Sequence, residues 1–215
     1  MNTYAKILEA IRHYDIEKAI AMLEANIREE SAKKSGTRSI QKVIESMIKH
    51  ADTNAQPRFA ECHVENGKYF FLDGHRAFRT DSNLGYREAE EGARFKGLDR
   101  FFDNANCNDV LTFSKQDLQT FIKIDGIKRN RPGNPFLILS QNGNVYGFNP
   151  FFLLDYIDFT GKGEAIASRP NAPIMDENKT ALVLPVNVRG VTIEQYYNFR
   201  NRVFGDAIPT VEKTA

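Results

Sequence analysis

"FAECHVENGKYFFLDGHRAF", residues 59–78, switches the chain to a period of two and decides the fold class. Ala60, Cys62 and Val64 alternate with Glu61, His63 and Glu65, which is the pattern of a strand with one wet face. Asn66-Gly67 follows. Both residues tolerate positive φ, so the pair predicts a hairpin turn. The return strand is expected from Lys68 to about Thr80, with Gly74 marking a bulge or bend in it. Asp73, His75 and Arg76 crowd that glycine. They pose the choice between an active site, a metal site, a binding edge and a plain turn.

Upstream, the period is helical. Ile7, Leu8 and Ile11 form one patch, Asp15 predicts an N-cap, and Ile16, Ile20, Leu23 and Ile27 repeat at helical spacing. Two short helices folded into a hairpin are expected, closed by "SAKKSGT" at 31–37. Residues 1–36 therefore form an N-terminal helical appendage whose charged residues make a solvated face. Ile40, Val43, Ile44, Met47 and Ile48 then make a further amphipathic helix, with Ser39 as its expected cap.

Downstream, residues 82–108 mix charges with glycines and predict a long connection with one short helix. "DVLTF" (109–113) reads as a strand and "SKQDLQTFIKI" (114–124) as a helix capped by Ser114. "PFLILSQNGNVYGF" (135–148) is a second hairpin with Asn-Gly at its tip. "NPFFLLDYIDF" (149–159) is a helix opened by Asn149 and Pro150. Strands at "EAIAS" and "TALVLPVNV" and a helix at 192–204 complete the order, and the tail after Pro209 is expected to be loose. The class is α+β, with antiparallel sheet and helices on one face. The chain divides into 1–36, 37–190, and a C-terminal helix and tail at 191–215.

Composition narrows the function. With 215 residues, 41% hydrophobic and 27% charged, the chain can bury a core and belongs with soluble globular proteins. Its net charge of +1 supplies no global field toward nucleic acid or acidic lipid. No apolar run reaches membrane-spanning length, and the first fifteen residues lack a signal-peptide core. Two cysteines, Cys62 and Cys107, are too few for a disulfide framework, so a reduced, cytoplasmic setting is expected. No membrane partner is expected. Sixteen Phe and no Trp predict an aromatic core.

Chemistry at the polar turn meets a geometric objection. Cys62 and His63 are adjacent on a strand and point to opposite faces, so they cannot act on one group. Cys62 follows the apolar alternation and is expected in the core. His13, His50, His63 and His75 lack metal-ligand spacing, and "TGKGEA" (160–165) lacks the glycine spacing of a phosphate loop. A non-enzyme with no cofactor and no metal is expected. Lys42 and Lys49, then Lys115, Lys123, Lys128, Arg129 and Arg131, are candidates for weak phosphate contacts, although Asp155 and Asp158 on the 149–159 helix break up a basic lining. The turn also suits the rim of a peptide groove.

Taken in order, these segments resemble the bacterial DNA sliding clamp family, the beta subunit of DNA polymerase III. "SIQKVIESMIKHADTNAQPRFAECHVENGKYFFLDGHRAF" (39–78) is similar to a clamp domain's helix, hairpin and "DGHR" motif, and "FNPFFLLDYI" (148–157) and "ALVLPVNV" (181–188) resemble its closing segments. The resemblance spans about 38–188. It implies a clamp-like domain at 37–190 and a protein of DNA replication or a mobile element. It also implies a groove for client peptides of polymerases and other clamp partners. Gly74, His75, Arg76 and Ala77 fall on one wall; Leu184, Pro185, Val186 and Asn187 fall on the other. Arg76 is expected to lay its stem over the groove and offer its fork to the ligand. Ala77 stands where the family has Leu, which widens or shallows the pocket, and Asn187 stands where it has Arg. The chain has room for one domain where clamp protomers have three. A ring around double-stranded DNA would then need about six copies of this chain, closed by cyclic symmetry. The leading reading is a protein that acts by binding such a partner, by self-association as a homo-oligomer, or both; the alternatives are an oligomeric DNA-encircling processivity factor, or a structural adaptor that keeps only the fold.

Overall fold

The computed structural model describes residues 3–53, 59, 61–103, 109–129, 133–186 and 191–205, without the side chains of 50–53 and 103. Helices α1 (Thr3–Arg12) and α2 (Ile16–Ser35) form the expected hairpin around Ile7, Ala10, Ala19 and Met22. The Asp15 carboxylate accepts from Lys18 N at 3.2 Å and caps α2; Gly36, at φ 74°, ends it. Helix α3 (Arg38–Thr53) starts before its expected cap. The Thr37 carbonyl already accepts from Gln41 N, so Ser39 lies inside the first turn.

The next strands are β1 (His63–Glu65), β2 (Lys68–Leu72) and β3 (Arg76–Thr80). Asn66 and Gly67, at φ 50° and 72°, make the predicted turn. The single return strand is corrected, because β2 and β3 pair antiparallel with Leu72 opposite Ala77. Gly74 sits in a tight hairpin loop instead of a bulge.

A single 3-10 turn at Glu91–Ala93 and helix α4 (Asp99–Asp103) occupy the long connection. Then come β4 (Asp109–Thr112), α5 (Lys115–Ile124), β5 (Phe136–Leu139), β6 (Val145–Phe148) and α6 (Pro150–Thr160). Strands β7 (Glu164–Ala167), β8 (Ile174–Met175) and β9 (Ala181–Val183) lead to α7 (Ile193–Phe204). The caps expected at Ser114 and Asn149 are present: their oxygens accept from Asp117 N and Phe151 N, each at 3.0 Å.

The seven-stranded sheet runs β1-β2-β3-β9-β8-β7-β4, antiparallel at every step, and β5-β6 forms a separate hairpin. Alternation sends Phe71, Phe78, Ile174 and Val183 into the main core with α3, α5, α6 and α7. It sends Phe70, Met175 and Leu182 to the opposite face. There Leu98 and Phe102, from the connection and α4, cover them, so helices are not confined to one face. The wet face expected for β1 is also corrected. His63 is fully buried, with its Nδ1 accepting from Phe95 N at 3.3 Å, and the Glu65 carboxylate accepts from Gly97 N and Asp99 N. The charged connection folds back over that side of the strand.

Asp109 fastens the sheet to the β5–β6 hairpin. Its carboxylate accepts from Asn142, Asn144 and the Tyr146 hydroxyl. Burial alone would raise its pKa, but the donors Tyr146, Asn144, Asn142 and Ser140 outweigh burial and hold it below the usual carboxylate value. A depressed folded pKa means that this stabilisation is complete above the unfolded value of about 3.9 and is lost as pH falls through the folded one. Asp109→Asn is therefore expected to cost about 1–3 kcal/mol at pH 7 by urea unfolding, a gap that closes toward pH 2. A gap that stayed constant with pH would show that the charge is not what holds the hairpin. Among the described residues no helix is long and apolar enough to cross a membrane, and no cluster of three or more His, Cys, Asp or Glu could hold a metal.

Candidate functional site

Asp73 organises the turn that carries the polar motif. Its Oδ1 accepts from the backbone N–H groups of His75, at 3.0 Å, and Arg76, at 2.9 Å. Gly74 takes φ 82°, the positive value that tight hairpin loops require and that side chains resist. The turn therefore needs both an Asp and a Gly for local reasons. His75 is left exposed at its tip.

Arg76 turns inward. It is 2% exposed, and its guanidinium donates to Asp73 Oδ2 and to Asp155 on α6, while its Cζ lies 4.4 Å from the Phe152 ring centre. This corrects the expectation that Arg76 offers its fork to a ligand. Asp155 also accepts from Arg129 at 2.8 Å, and Arg129 donates to the Ser46 hydroxyl on α3 at 2.7 Å. A relay of alternating charge, Asp73–Arg76–Asp155–Arg129, ties the turn to α6 and α3.

Residues 184–186 lie beside the 73–76 turn. Arg76 pairs with Val183, more than a hundred residues away in sequence, and Leu184 N donates to the His75 carbonyl at 2.8 Å. Val186 N donates to the Gly147 carbonyl at 2.8 Å, so residues 184–186 bridge from the turn to β6. Leu184 and Val186 are 38% and 39% exposed, and Pro185 is half-buried. The His75 ring stacks on Phe152 with centroids 5.6 Å apart. Phe152 thus lies under His75, and Leu184, Pro185 and Val186 follow on the segment hydrogen-bonded to that turn.

Ala77 does not join them. Its side chain packs with Leu72 and Leu182 on the opposite face of the sheet, so its size does not set the width of this strip. Asn187 and Arg131 lie outside the described residues, as do Cys107 and the His50 side chain. Phe152 was missed in the sequence reading, although it stands in the quoted "FNPFFLLD" segment.

The basic candidates separate into two kinds. Lys42 and Lys49 on α3, and Lys123 and Lys128 on and after α5, are exposed. Lys115 and Arg129 are also exposed but paired, Lys115 with Asp158 at 2.6 Å and Arg129 with the buried Asp155 at 2.8 Å. The acidic character read into α6 is corrected as well, because Asp155 is buried between two arginines and Asp158 is paired.

Cys62 is fully buried as expected, and burial, then Glu88, pushes its thiol pKa up to about 12. It stays protonated at neutral pH and makes a poor nucleophile. A cleft of about 390 Å³ lies between α2, α3 and Tyr86, lined by side chains of both signs, including Glu24, Arg28, Glu45 and Arg87. Arg28 stacks on Tyr86 at 4.8 Å, and the Tyr86 hydroxyl has no hydrogen-bond partner among the described residues. Tyr86 falls in the least legible stretch of the sequence, which holds no signal for this cleft.

No protein-family model and no curated protein matches this sequence. Among solved structures, the chain is similar to one described as "Putative DNA polymerase III beta subunit", from Eubacterium rectale. The two share 16% identity over 59% of this chain and 56% of that chain, with a TM-score of 0.39. The matched region thus spans little more than half the length of that protein.

Proposed function

We propose that this chain is a non-enzymatic, clamp-like binding protein of DNA replication or a mobile element, and that it takes partner peptides on the strip formed by His75, Leu184, Pro185 and Val186. The observation that carries the reading is the β3–β9 pairing. It sets the 73–76 turn against 184–186, the arrangement that the sequence resemblance implies for client binding. The strip has the chemistry for a short apolar motif: two half-exposed aliphatic side chains, a proline, and a stacked His–Phe pair. With Arg76 inside, the strip offers the peptide His75 and main-chain groups, and no guanidinium from that residue. The role of Arg76 is to hold the turn.

Titration of the isotope-labelled chain with a clamp-client peptide tests the reading. Amide signals of His75, Leu184 and Val186 are expected to shift. Val186→Asp is expected to weaken binding at least about tenfold, since it places a charge in an apolar contact. Unmoved signals at all three residues would remove the groove. The second reading, a DNA-encircling oligomer, draws on exposed Lys42, Lys49, Lys123 and Lys128 and on the neutralised carboxylates of α6.

A further inference from the structure

The α1–α2 hairpin carries an apolar face that the rest of the described chain does not cover. Thirteen large apolar side chains are exposed among the described residues, and eight of them lie between Tyr4 and Ile27. This is a concentration, not the ordinary scatter of apolar surface. On α1 the exposed set is Tyr4, Leu8 and Ile11; on α2 it is Ile16, Ile20, Leu23 and Ile27. The spacings alternate four and three, as in a coiled-coil seam.

Apart from Tyr4, whose hydroxyl accepts from the Asn26 side chain of α2 at 3.3 Å, each helix keeps this stripe away from the hairpin seam and the main domain. The hairpin seam uses Ile7, Ala10, Ala19 and Met22. On α2 the side facing the main domain carries Ala32, which is buried, and Arg28, which stacks on Tyr86. At about 100° per residue, the open stripe on each helix lies about a quarter-turn from the seam, in the same rotational sense. Because the helices run antiparallel, equal rotations bring both stripes to one side of the hairpin, away from the main domain. The result is a two-helix layer with one apolar surface, which is half of a four-helix bundle.

We propose that a second copy of this chain covers this face, joining the two hairpins about a two-fold axis as an antiparallel four-helix bundle. An isologous pairing needs a self-complementary surface, and a flat apolar layer of two antiparallel helices is one. Weighted by exposure, the stripes offer roughly 700 Å² per chain, close to the roughly 800 Å² per partner of a standard interface. Lys6, Arg12 and Lys18 are interleaved with Glu9, Asp15, Glu17 and Glu24. Like copies therefore meet without a one-sign field, and the basic face that an anionic lipid surface would select is missing. The undescribed residues of this chain hold only Met1, Val188, Ile208 and Val211 as large apolar side chains, too few to cover the stripes.

The proposal goes beyond the peptide strip and does not rest on it. The test is the solution mass of the full chain by sedimentation velocity up to about 100 μM, with two charge-swapped variants. One is Ile20→Glu with Leu23→Glu, the other Ile20→Lys with Leu23→Lys. Both positions are exposed in the single chain, so the helical content of each variant should be unchanged. The unsubstituted chain is expected at twice its 24.5 kDa. Each variant is expected to dimerise at least about a hundredfold more weakly, because like charges would be buried in the seam. An equimolar mixture of the two should regain the dimer. His75→Ala should leave the mass unchanged, so the strip and the hairpin fail separately. A chain that stays at 24.5 kDa overturns the proposal, and sedimentation of that monomer with anionic vesicles would assign the face to lipid. A dimer indifferent to either swap, or swapped variants that do not restore one another, overturns it as well.

Discussion

Asp155→Ala is expected to cost about 3–5 kcal/mol of folding stability, the range for removing one partner from a buried ion pair. The reason lies in the order of the relay. Asp155 is the only described carboxylate shared by Arg76 and Arg129, and Arg76 is almost fully buried. Without Asp155, Arg76 keeps Asp73, but its Nη1 loses a charged acceptor inside the protein. Arg129 is a different case. Its side chain is 40% exposed, and water can replace what it loses, so Arg129→Ala is expected to cost about 1 kcal/mol or less. The two sites share a partner, so the double variant should show coupling. Urea unfolding measures all three, and hydrogen exchange at His75 and Arg76 reports whether the turn loosens locally. A loss below about 1 kcal/mol for Asp155→Ala would mean that the relay does not hold the turn.

That relay also separates what could be read from the sequence from what could not. Local chemistry was legible. The Asp15, Ser114 and Asn149 caps and the Asn66-Gly67 turn each depend on a few adjacent residues, and each stands where the sequence put it. The neighbourhood of the 73–76 turn and 184–186 was legible only through the order of the segments, since periodicity says nothing about which strands pair. Arg76 was misread because exposure is the ordinary state of an arginine. Its burial depends on Asp155, 79 residues away, whose side chain in turn looked like a solvated acid on a helix. Two charges that each seemed to face water instead face one another.

The same cause explains β1. Its polar alternation, Glu61, His63 and Glu65, would be wet on an isolated hairpin, but here Phe95, Gly97 and Asp99 supply backbone donors to it. Alternation reports which face is polar, and water is only one way to satisfy a polar face. At α1 and α2 the error of a plain solvated-face reading runs the other way, since the apolar repeats there are too many for the hairpin's own seam and remain uncovered.

Gly163→Ala is expected to be among the most damaging single-methyl additions, costing about 3 kcal/mol or more. A Cβ built on Gly163 would lie 2.0 Å from the Phe113 carbonyl oxygen, where only a backbone shift relieves the clash. That shift would break the bond from Phe113 N to the Gly163 carbonyl, 2.8 Å, which extends the β4–β7 ladder by one step. It would also disturb Tyr156, whose ring lies 5.7 Å from Phe113 and whose hydroxyl donates to the Glu164 carbonyl at 2.8 Å. Gly161, two residues earlier, is the control. It ends α6 at φ 73° with nothing within 4 Å of its would-be Cβ, so Gly161→Ala carries only the left-handed backbone cost of about 1–2 kcal/mol. The pair of glycines in "TGKGEA", which as a phosphate loop has the wrong spacing, thus divides into a helix stop and a strand contact. Thermal unfolding of both variants ranks them directly, and equal losses would show that the close approach at Phe113 is relieved without cost.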